Sequence, residues 1–565
     1  MSFRVLLIWP PVTRAEPGAG CLDRPDARVL VAPYGLLTIA AHLRHHGIDV
    51  DVVNLATFTW QEAVEAVRRR PADLFGISCY TFNRGPTAAL AAEIKELHPG
   101  SHVMVGGPHV SALPLAWLAH YPACDTVVCG EGEATALDLA ERVRDGRPVA
   151  DVPGTAWRAD GVPVLAPPRP FIDDLDSVGK PWEHFDYVVP VTSRGCPGQC
   201  TYCCTPKRWG RKTRFRSAAN VLEEFEELVG RRGHEKLHIK DDTFTSHRKR
   251  VLAICEGIVE RGLEFRWVCD TRVDCVSPEV LAAMRRAGCE KLSFGVESAN
   301  PTILRNIKKH VSPAQALEAT AWARDVGLTV RFYLMLGNRG ETPATVRQTL
   351  EFVEKARPAE VYFSSFRLFP GTEEFDIARA EGLISAEDYF TDTTTSAFVF
   401  NRGEDSPGMV DLMNRVLARM GGSALPCAPL TTADRERVVG AHPGMVRSHT
   451  DLALRYCGEG RLGEAEQVLR AAPAALGYDS PAVMHHLACV AYGQGDATGA
   501  EACLRGALSR APNDHGLQRT ATVLAEASSA RGEQRATATA QMLANLSSSD
   551  ALTGGQPLLP MPLDT

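Results

Sequence analysis

The sequence predicts an α/β protein with a Rossmann-like domain, a partial (β/α)6 barrel and a C-terminal α-helical repeat domain. Two stretches, 1–150 and 191–400, alternate short apolar runs with amphipathic helical patterns, which is the pattern of parallel sheets with crossover helices. A third stretch, 447–535, repeats itself at a constant offset. A chain of 565 residues is too long for one core, which favours several domains.

The first domain is predicted from five apolar runs, each followed by a helical pattern. The runs span 4–9, 49–54, 73–79, 102–106 and 125–129. This alternation predicts a parallel, doubly wound sheet. Gly and Pro cluster just after the strand ends, for example at Gly106, Gly107 and Pro108. Ligands bind at this edge of open α/β sheets, although each glycine alone is equally well explained by a tight turn.

A hairpin and linker over 151–190 are predicted to lead into the barrel domain. Residues 152–166 read as a hairpin, and 167–190 are rich in Pro and Asp without periodicity. The strand candidates of the barrel are 187–192, 236–240, 265–270, 290–296, 328–336 and 360–367. Six units predict a partial barrel, and barrels of this kind carry their chemistry at the carboxyl ends of the strands.

Beyond the barrel we expect a mixed helical connector over 401–446 and then the repeat. Leu452, Gly460, Ala465 and Leu469 recur as Leu487, Gly495, Ala500 and Leu504. The offset is close to the tetratricopeptide period of about 34 residues. Such repeats bind a peptide or simply cover an active site. The tail over 536–565 is rich in Ser, Thr, Ala and Pro and is predicted to be disordered.

Composition narrows the function classes. The net charge is −7 with acidic and basic residues interspersed, so no nucleic-acid partner is expected. The apolar run over 1–12 is too short for a signal segment or a membrane span, so we expect a cytoplasmic protein without a membrane partner. Most of the 16 cysteines are scattered among apolar residues, where a reduced, buried thiol is the default interpretation.

One group of cysteines has ligand spacing. Cys196, Cys200 and Cys203 form Cys-x-x-x-Cys-x-x-Cys directly after the first predicted barrel strand. Thiolates are the natural ligands of iron–sulfur clusters, and three of them on a four-iron cluster leave one iron open for a chelating ligand. The alternatives are a structural zinc site, for which Cys204 would be the fourth ligand, or unrelated buried cysteines.

Motifs at later strand ends extend this pattern. They are Asp241-Asp242-Thr243, Arg272, Glu297-Ser298 and Gly337. In this order they resemble the radical S-adenosylmethionine (SAM) superfamily, in the branch with an N-terminal cobalamin-binding domain. The resemblance implies that the three cysteines are metal ligands of a 4Fe–4S cluster and that the strand-end residues bind SAM. Asp242-Thr243 also fits a helix N-cap, and Asn338-Arg339 departs from the family's usual Gly-Leu-Pro-Gly-Glu-Thr.

The same resemblance implies cobalamin in the first domain. The residues expected to hold it are Pro10, Tyr34, Gly35, Gly106, Gly107, Gly130 and Gly132. The motif Asp-x-His-x-x-Gly, whose histidine binds cobalt from below, is absent from the sequence. We therefore expect no histidine as lower axial ligand, and we interpret His109 as a turn residue. The alternative is a vestigial module that binds no cobalamin.

The resemblance further implies two uses of SAM. One yields a deoxyadenosyl radical that takes hydrogen from a carbon, and the other methylates cobalamin. We therefore predict a C-methyltransferase that acts through methylcobalamin on an unactivated carbon of a natural-product or peptide precursor. No protein acid–base pair is required, so no catalytic side chain is nominated.

The expected partners are a small-molecule or peptide substrate and an electron donor such as flavodoxin or ferredoxin, with a peptide or carrier-protein contact through the repeats. One alternative is a cobalamin-dependent cyclase or rearrangement enzyme. The other is a scaffold built on the repeats.

Overall fold

The computed structural model describes residues 3–12, 33–385, 387–390, 399–401, 408–420, 425–512 and 514–527. The tail predicted over 536–565 and part of the connector predicted over 401–446 lie outside these residues. None of the described helices combines the length and the apolarity that a membrane span needs.

The first domain is a seven-stranded sheet in the order β2-β1-β3-β4-β5-β6-β7. Its strands are β1 (Arg4–Trp9), β2 (Asp49–Asn54), β3 (Leu74–Ser78), β4 (His102–Gly106), β5 (Thr126–Val128), β6 (Thr155–Ala159) and β7 (Val162–Leu165). The first five are parallel, and their order is that of a doubly wound sheet whose switch point lies between β1 and β3. The predicted hairpin, β6–β7, pairs antiparallel with β5 and extends the sheet.

Helices cover both faces of this sheet. They are α1 (Tyr34–His45), α2 (Trp60–Arg68), α3 (Arg84–Leu97), α4 (Pro108–Ala112), α5 (Pro114–His120) and α6 (Glu133–Arg144). Side chains alternate along a strand, so Val5 and Leu7 belong to one apolar core while Leu6 and Ile8 belong to the other. Burial on both faces explains why β1 reads as an unbroken apolar run.

The second domain holds a six-stranded sheet in the order β10-β11-β12-β13-β14-β15 and a separate pair, β8–β9. The strands are β8 (Ser193–Arg194), β9 (Arg214–Phe215), β10 (Lys236–Ile239), β11 (Arg266–Thr271), β12 (Cys289–Glu297), β13 (Thr329–Leu336), β14 (Glu360–Ser365) and β15 (Leu425–Pro426). The helices are α7 (Thr205–Trp209), α8 (Ala218–Phe225), α9 (Arg248–Glu260), α10 (Pro278–Arg286), α11 (Pro301–Asn306), α12 (Pro313–Asp325), α13 (Pro343–Ala356), α14 (Glu373–Ala380) and α15 (Met409–Met420). Strands β10 to β14 are parallel, and β15 is antiparallel to β14.

The first predicted barrel strand, 187–192, is only partly formed. It runs beside β10, where the backbone N–H groups of His238 and Lys240 donate to the carbonyl oxygens of Val188 and Pro190 at 2.8 and 2.9 Å. Pro190 has no N–H to donate, which weakens the ladder at this point. Regular pairing begins only at Ser193, with β9 as the partner. Within the described residues, the partial barrel therefore has five parallel strands and a short antiparallel sixth.

The C-terminal region is helical, and its neighbouring helices pack against each other. The helices are α16 (Thr432–Ala441), α17 (Val446–Gly458), α18 (Leu462–Leu476), α19 (Pro481–Gly493), α20 (Ala497–Arg510) and α21 (His515–Ala527). Leu452, Leu469 and Leu504 are buried. Gly460 and Gly495 take positive φ values of 76° and 93° in the turns that close the α17–α18 and α19–α20 pairs. Membership of the tetratricopeptide family stays a prediction.

This helical region is docked on the amino-terminal ends of the barrel strands. Arg447 donates from Nη2 to the carbonyl oxygen of Phe265, which precedes β11, at 2.7 Å. Arg519 pairs with Glu235, which precedes β10. Asp451 pairs with Arg285. The cysteine loop lies at the opposite, carboxyl end of the strands, away from the described helices of the repeat region.

Candidate functional site

The cysteine loop connects β8 to α7 and is held on both sides. Gly195, with φ of +101°, starts the loop. The backbone N–H of Gly198 donates to Cys196 Sγ at 3.3 Å. The backbone N–H of Thr201 donates to the carbonyl oxygen of Ile307 at 3.0 Å, and its hydroxyl donates to Glu374 Oε1 at 2.8 Å. These contacts fix the loop against the segments that follow α11 and β14.

The three cysteines are half-buried and reduced. The described residues contain no group of three or more His, Cys, Asp or Glu side chains placed around a single metal ion. A four-iron cluster takes one thiolate for each iron, so its ligands stand further apart than the ligands of one ion. Burial raises the pKa of the Cys203 thiol to about 12, and iron is the charge that would hold it as a thiolate. Three thiols without a fourth ligand fit a cluster better than a structural zinc ion.

Asp241 and Asp242 have different surroundings. Asp241 is buried, and its carboxylate accepts four hydrogen bonds of 2.6–3.1 Å from the backbone N–H and hydroxyl groups of Thr192 and Ser193. All its acceptor positions toward β8 are therefore occupied by protein. Asp242 is exposed to the cavity and accepts a hydrogen bond from the hydroxyl of Thr205 at 3.0 Å. Of the two predicted SAM contacts, Asp242 is the accessible one.

Thr243, the third residue of this motif, is buried against the cysteine loop. Its Oγ1 lies 3.1 Å from Cys196 Sγ and donates to the carbonyl oxygen of Asp242 at 2.7 Å. A hydroxyl next to the sulfur of a predicted cluster ligand is placed to adjust the charge on that sulfur.

Arg272 lies directly against the cysteine loop. A Cβ atom at Gly198 would fall 2.7 Å from Arg272 Nη1, so a side chain there would push the guanidinium away from the loop. The guanidinium donates to both carboxylate oxygens of Asp274 at 2.8 and 2.9 Å. Burial lowers its pKa, but Asp274 together with Cys200 and Cys196 raises it above the ordinary value. A fixed positive charge therefore stands beside two of the three thiols.

Glu297 forms a buried ion pair with Lys309, a residue that the sequence analysis missed. The distance between Glu297 Oε1 and Lys309 Nζ is 2.9 Å, and their side chains are 12% and 6% exposed. Glu297 has φ of +67° at a break in the register between β12 and β13. Non-glycine residues keep such a backbone only where the surroundings enforce it, and these positions cluster at functional sites. Arg272 Nη2 donates to the carbonyl oxygen of Lys309 at 3.2 Å, which joins the two cations.

The remaining predicted SAM residues contact protein. The hydroxyl of Ser298, fully buried, lies 3.3 Å from Thr349 Oγ1. Gly337, with φ of +93°, donates its N–H to Glu341 Oε2 at 2.6 Å. Burial raises the pKa of Glu341 to about 7. Asn338, where the sequence departs from the family pattern, donates from Nδ2 to the carbonyl oxygen of Met335 at 2.9 Å.

A cavity lies at the carboxyl edge of the first sheet and faces the second domain. It contains about 1480 Å³ of atom-free space, including the part open to solvent. From the first domain it is lined by Trp9, Tyr34, Gly35, Gly106, Gly107, Gly130, Gly132 and neighbours. From the second domain it is lined by Val189, Val191, Ser193, Arg194, Arg208, Trp209, Lys240 and Asp242. The predicted cobalamin residues therefore converge on one cavity, except Pro10, which is buried and does not line it.

Two details bear on what this cavity holds. A Cβ atom at Gly107, where φ is +111°, would fall 2.5 Å from the carbonyl oxygen of Cys79, so only glycine lets the backbone at the cavity edge pack against Cys79. His109 is buried away from the cavity, with Nδ1 3.2 Å from Thr81 Oγ1, and burial lowers its pKa to about 3. An open, glycine-lined edge at the end of a parallel sheet fits a large planar cofactor.

Aromatic and cationic groups from α7 and β8 complete the wall on the barrel side. The guanidinium groups of Arg194 and Arg208 lie 5.0 and 4.4 Å from the centre of the Trp209 ring. Nε of Arg208 has no hydrogen-bond partner among the residues that the structure describes. The helix that follows Cys203, α7, therefore contributes directly to the cavity wall. The spacing of its residues does not predict this role.

Family comparisons agree with both halves of this site. The family model for the B12 binding domain matches residues 26–140, and that for the Radical SAM superfamily matches residues 191–353. The chain is a radical SAM enzyme with a B12-binding domain.

Curated relatives of this radical SAM enzyme include two methyltransferases and a cyclase. An uncharacterized methyltransferase of Pyrococcus horikoshii is 29% identical over 394 residues, covering 67% of this chain and 84% of the relative. A cytidylyl-2-hydroxyethylphosphonate methyltransferase of Streptomyces wedmorensis is 25% identical over 476 residues, with 72% and 87% covered. An anaerobic magnesium-protoporphyrin IX monomethyl ester cyclase of Rubrivivax gelatinosus is 28% identical over 368 residues, with 61% and 65% covered.

Solved structures share the fold of the radical SAM enzyme. The methyltransferase TsrM from Kitasatospora setae, with cobalamin and a 4Fe-4S cluster bound, has a TM-score of 0.57 at 22% identity, covering 68% of this chain and 75% of TsrM. The cobalamin-dependent radical enzyme OxsB, with aqua-cobalamin and SAM bound, has a TM-score of 0.52 at 14% identity, covering 96% and 84%. The fold of both halves is therefore shared with these proteins.

Proposed function

We propose that this radical SAM enzyme is a cobalamin-dependent methyltransferase that methylates a carbon of a natural-product or peptide precursor. One observation carries the proposal. The glycine-lined edge of the B12-binding domain lines the same cavity as Arg194, two residues before Cys196, and Asp242, a predicted SAM contact. A methyl carrier and a SAM site that share one cavity can act on one substrate without releasing an intermediate.

When bound, the cluster supplies the electron that cleaves SAM, and cobalamin supplies the methyl carrier. The side chains have narrower tasks. Asp242 can accept hydrogen bonds from the methionine amine of SAM, because its carboxylate faces the cavity beside the helix that follows Cys203. Arg272 and Lys309 are placed to compensate negative charge at the cluster. Trp209 and the apolar lining limit the access of solvent and of other reactants to the cavity.

The reaction also requires a source of electrons. Each reductive cleavage of SAM consumes one electron, so a one-electron donor such as flavodoxin or ferredoxin is the expected partner. The half-buried cysteine loop lets an electron reach the cluster from the protein surface. Peptide or carrier-protein binding by the helical region stays a hypothesis, and its docking at the far end of the barrel separates that surface from the chemistry.

The relatives support methyl transfer and also supply a second candidate. Two of those described above are named methyltransferases. The similarity to the magnesium-protoporphyrin ester cyclase favours, as the alternative, a cyclase that keeps both cofactors and transfers no methyl group. Methyl-labelled SAM separates the two, since only the methyltransferase moves the label to the corrin.

Reductive cleavage of SAM at the cluster is tested by replacing the predicted cluster ligands one at a time. After anaerobic reconstitution and reduction, Cys196→Ala, Cys200→Ala and Cys203→Ala should each abolish the formation of 5′-deoxyadenosine from SAM. Cys204→Ala is the matched control, because its thiol adjoins the loop without belonging to the predicted ligand set. It should retain iron and the cleavage reaction. Loss of both in Cys204→Ala alone would contradict the assignment of the three ligands.

A further inference from the structure

Glu131 and Glu133 of the first domain form ion pairs with Arg194, which lies just before the cysteine loop of the second domain. Arg194 lies on β8, one residue before Gly195 and two before Cys196. Its Nη1 lies 2.6 Å from Glu131 Oε1, and its Nη2 lies 2.5 Å from Glu133 Oε1. The glutamates belong to the segment Gly130-Glu131-Gly132-Glu133, between β5 and α6.

A second arginine closes the network. Arg214 on β9 stands opposite Arg194 in the β8–β9 pair, and its Nη1 lies 2.8 Å from Glu131 Oε2. The four side chains are between 3% and 9% exposed, so the pairs are shielded from solvent. Burial raises the pKa of Glu133, but Arg194 lowers it below the ordinary value. Glu133 is therefore held as a carboxylate that faces the guanidinium of Arg194.

The network lies between the two cofactor regions. Glu131, Glu133 and Arg194 all line the cavity, while Gly195 is the single residue between Arg194 and the first cluster ligand. Gly195 is tightly placed, since a Cβ atom there would fall 3.2 Å from the carbonyl oxygen of Lys212. A shift of the Glu133–Arg194 pair would therefore displace the cavity wall and the cysteine loop relative to each other.

We propose that Arg194 and Glu133 are positioning residues. They fix the distance between the cysteine loop and the glycine-lined edge of the first domain, where cobalamin would bind. The proposal rests on the proposed function, because it assumes that cobalamin occupies the cavity. Its chemical basis is geometric. Two cofactors must act on one substrate atom in turn, and a misplacement of about 1 Å can cost about 100-fold in rate. Directional, buried, two-pronged pairs fix an interdomain distance better than apolar contacts do.

The test measures that distance with no substrate. Cob(II)alamin and the one-electron-reduced cluster each carry an unpaired electron, so pulsed EPR reports their separation and its spread. The variants are Glu133→Gln and Arg194→Lys, which keep the side-chain size but weaken or remove the pair. The matched control is Glu141→Gln, on the same helix as Glu133 but outside the network.

We expect both variants to retain iron and cobalamin and to show a broadened or shifted cobalt–cluster distance, while Glu141→Gln matches the wild type. A wild-type distance in both variants would overturn the proposal. So would loss of cobalamin in Glu133→Gln with an unchanged distance in Arg194→Lys, since Glu133 would then be a cofactor contact.

A cofactor-free measurement separates this inference from the proposed function. If the wild type binds no cobalamin, the proposed function fails, and hydrogen exchange in the folded apoprotein decides the role of the pair. Faster amide exchange over 191–195 in Arg194→Lys, with Glu141→Gln unchanged, supports positioning of the loop by Arg194. Equal exchange in all three proteins overturns it.

Discussion

Glu297 Oε1 lies 2.9 Å from Lys309 Nζ, and this buried pair packs over Gly295. A Cβ atom at Gly295 would fall 2.7 Å from the carboxylate and 2.9 Å from the ammonium group. The glycine of the Gly-Val-Glu-Ser motif is therefore explained by the ion pair next to it. The glutamate of this motif forms an ion pair beside the cysteine loop, and its partner is Lys309, twelve residues later in the chain.

Replacement of Lys309 should destabilise this region. In Lys309→Met the carboxylate of Glu297 stays buried without its cation, which we expect to cost about 3 kcal/mol. The thermal unfolding midpoint of the apoprotein should fall accordingly. Lys308→Met is the matched control, because Lys308 pairs with Glu373 at the exposed surface and should change the midpoint little. Equal midpoints for the two variants would show that the Glu297–Lys309 pair contributes nothing to stability.

Stability should fall as the pH rises because of Glu341. Burial raises the pKa of its carboxyl from 4.5 to about 7, so folding favours the protonated form. The contribution, up to about 3 kcal/mol, is fully present below 4.5 and is lost as the pH rises through 7.

Urea unfolding of the apoprotein at about pH 5 and about pH 8 measures this loss. Glu341→Gln should flatten the difference between the two conditions. Glu351→Gln, an exposed site on α13, should keep it. An unchanged pH dependence in Glu341→Gln would assign the effect to other groups.

Asp241 and Asp242, although adjacent, should respond differently to the same substitution. Asp241→Asn puts an amide N–H₂ group against donors on Thr192 and Ser193, so the approach to the cysteine loop should loosen. We expect its iron and sulfide content after reconstitution to drop several-fold. Asp242→Asn should keep both, because the Asp242 carboxylate faces the cavity and accepts fewer hydrogen bonds than that of Asp241. The same iron content in both variants would contradict this division of roles.

The helical region should detach without disturbing the cofactor sites. Asp451 pairs with Arg285 and, at 3.3 Å, with Arg435. Asp451→Asn leaves the buried Arg285 without its carboxylate, at a cost of about 3 kcal/mol. Limited proteolysis should then cut near α16 at a lower protease concentration, while iron and cobalamin contents stay unchanged. Glu501→Gln, an exposed site on α20, is the control. Loss of iron in Asp451→Asn would show that the two ends of the barrel are coupled.

Much of the fold follows from local pattern, and the exceptions have physical reasons. The apolar runs over 4–9 and 102–106 predict β1 and β4 because strands buried on both faces read as continuous apolar segments. The strand predicted over 187–192 is incomplete because Pro190 cannot donate. The pairing of β6 with β5, and β15 with β14, depends on contacts distant in sequence.

The site residues also divide into those that sequence patterns predict and those that they do not. Ligand spacing identifies the three cysteines, and glycines after strand ends identify the cavity edge. Lys309, Arg194 and Trp209 could not be recognised, because their roles arise only when separate strands and α7 meet. Asp241 and Ser298 match family motifs, yet their side chains are taken up by protein contacts.

The most direct test of the central claim follows a labelled methyl group into the cavity. Anaerobic protein reconstituted with iron, sulfide and cobalamin is reduced and given SAM with a labelled methyl group. Label on the corrin and an equal amount of S-adenosylhomocysteine are then measured. Gly106→Leu places a side chain at the cavity edge where a Cβ atom meets Val128 only at 3.6 Å, whereas Gly100→Leu, a surface control, meets no atom within 4 Å.

The account predicts labelled corrin in the wild type and Gly100→Leu and its loss in Gly106→Leu. Cobalamin that binds the wild type but never takes up label would contradict methyl transfer and favour the cyclase.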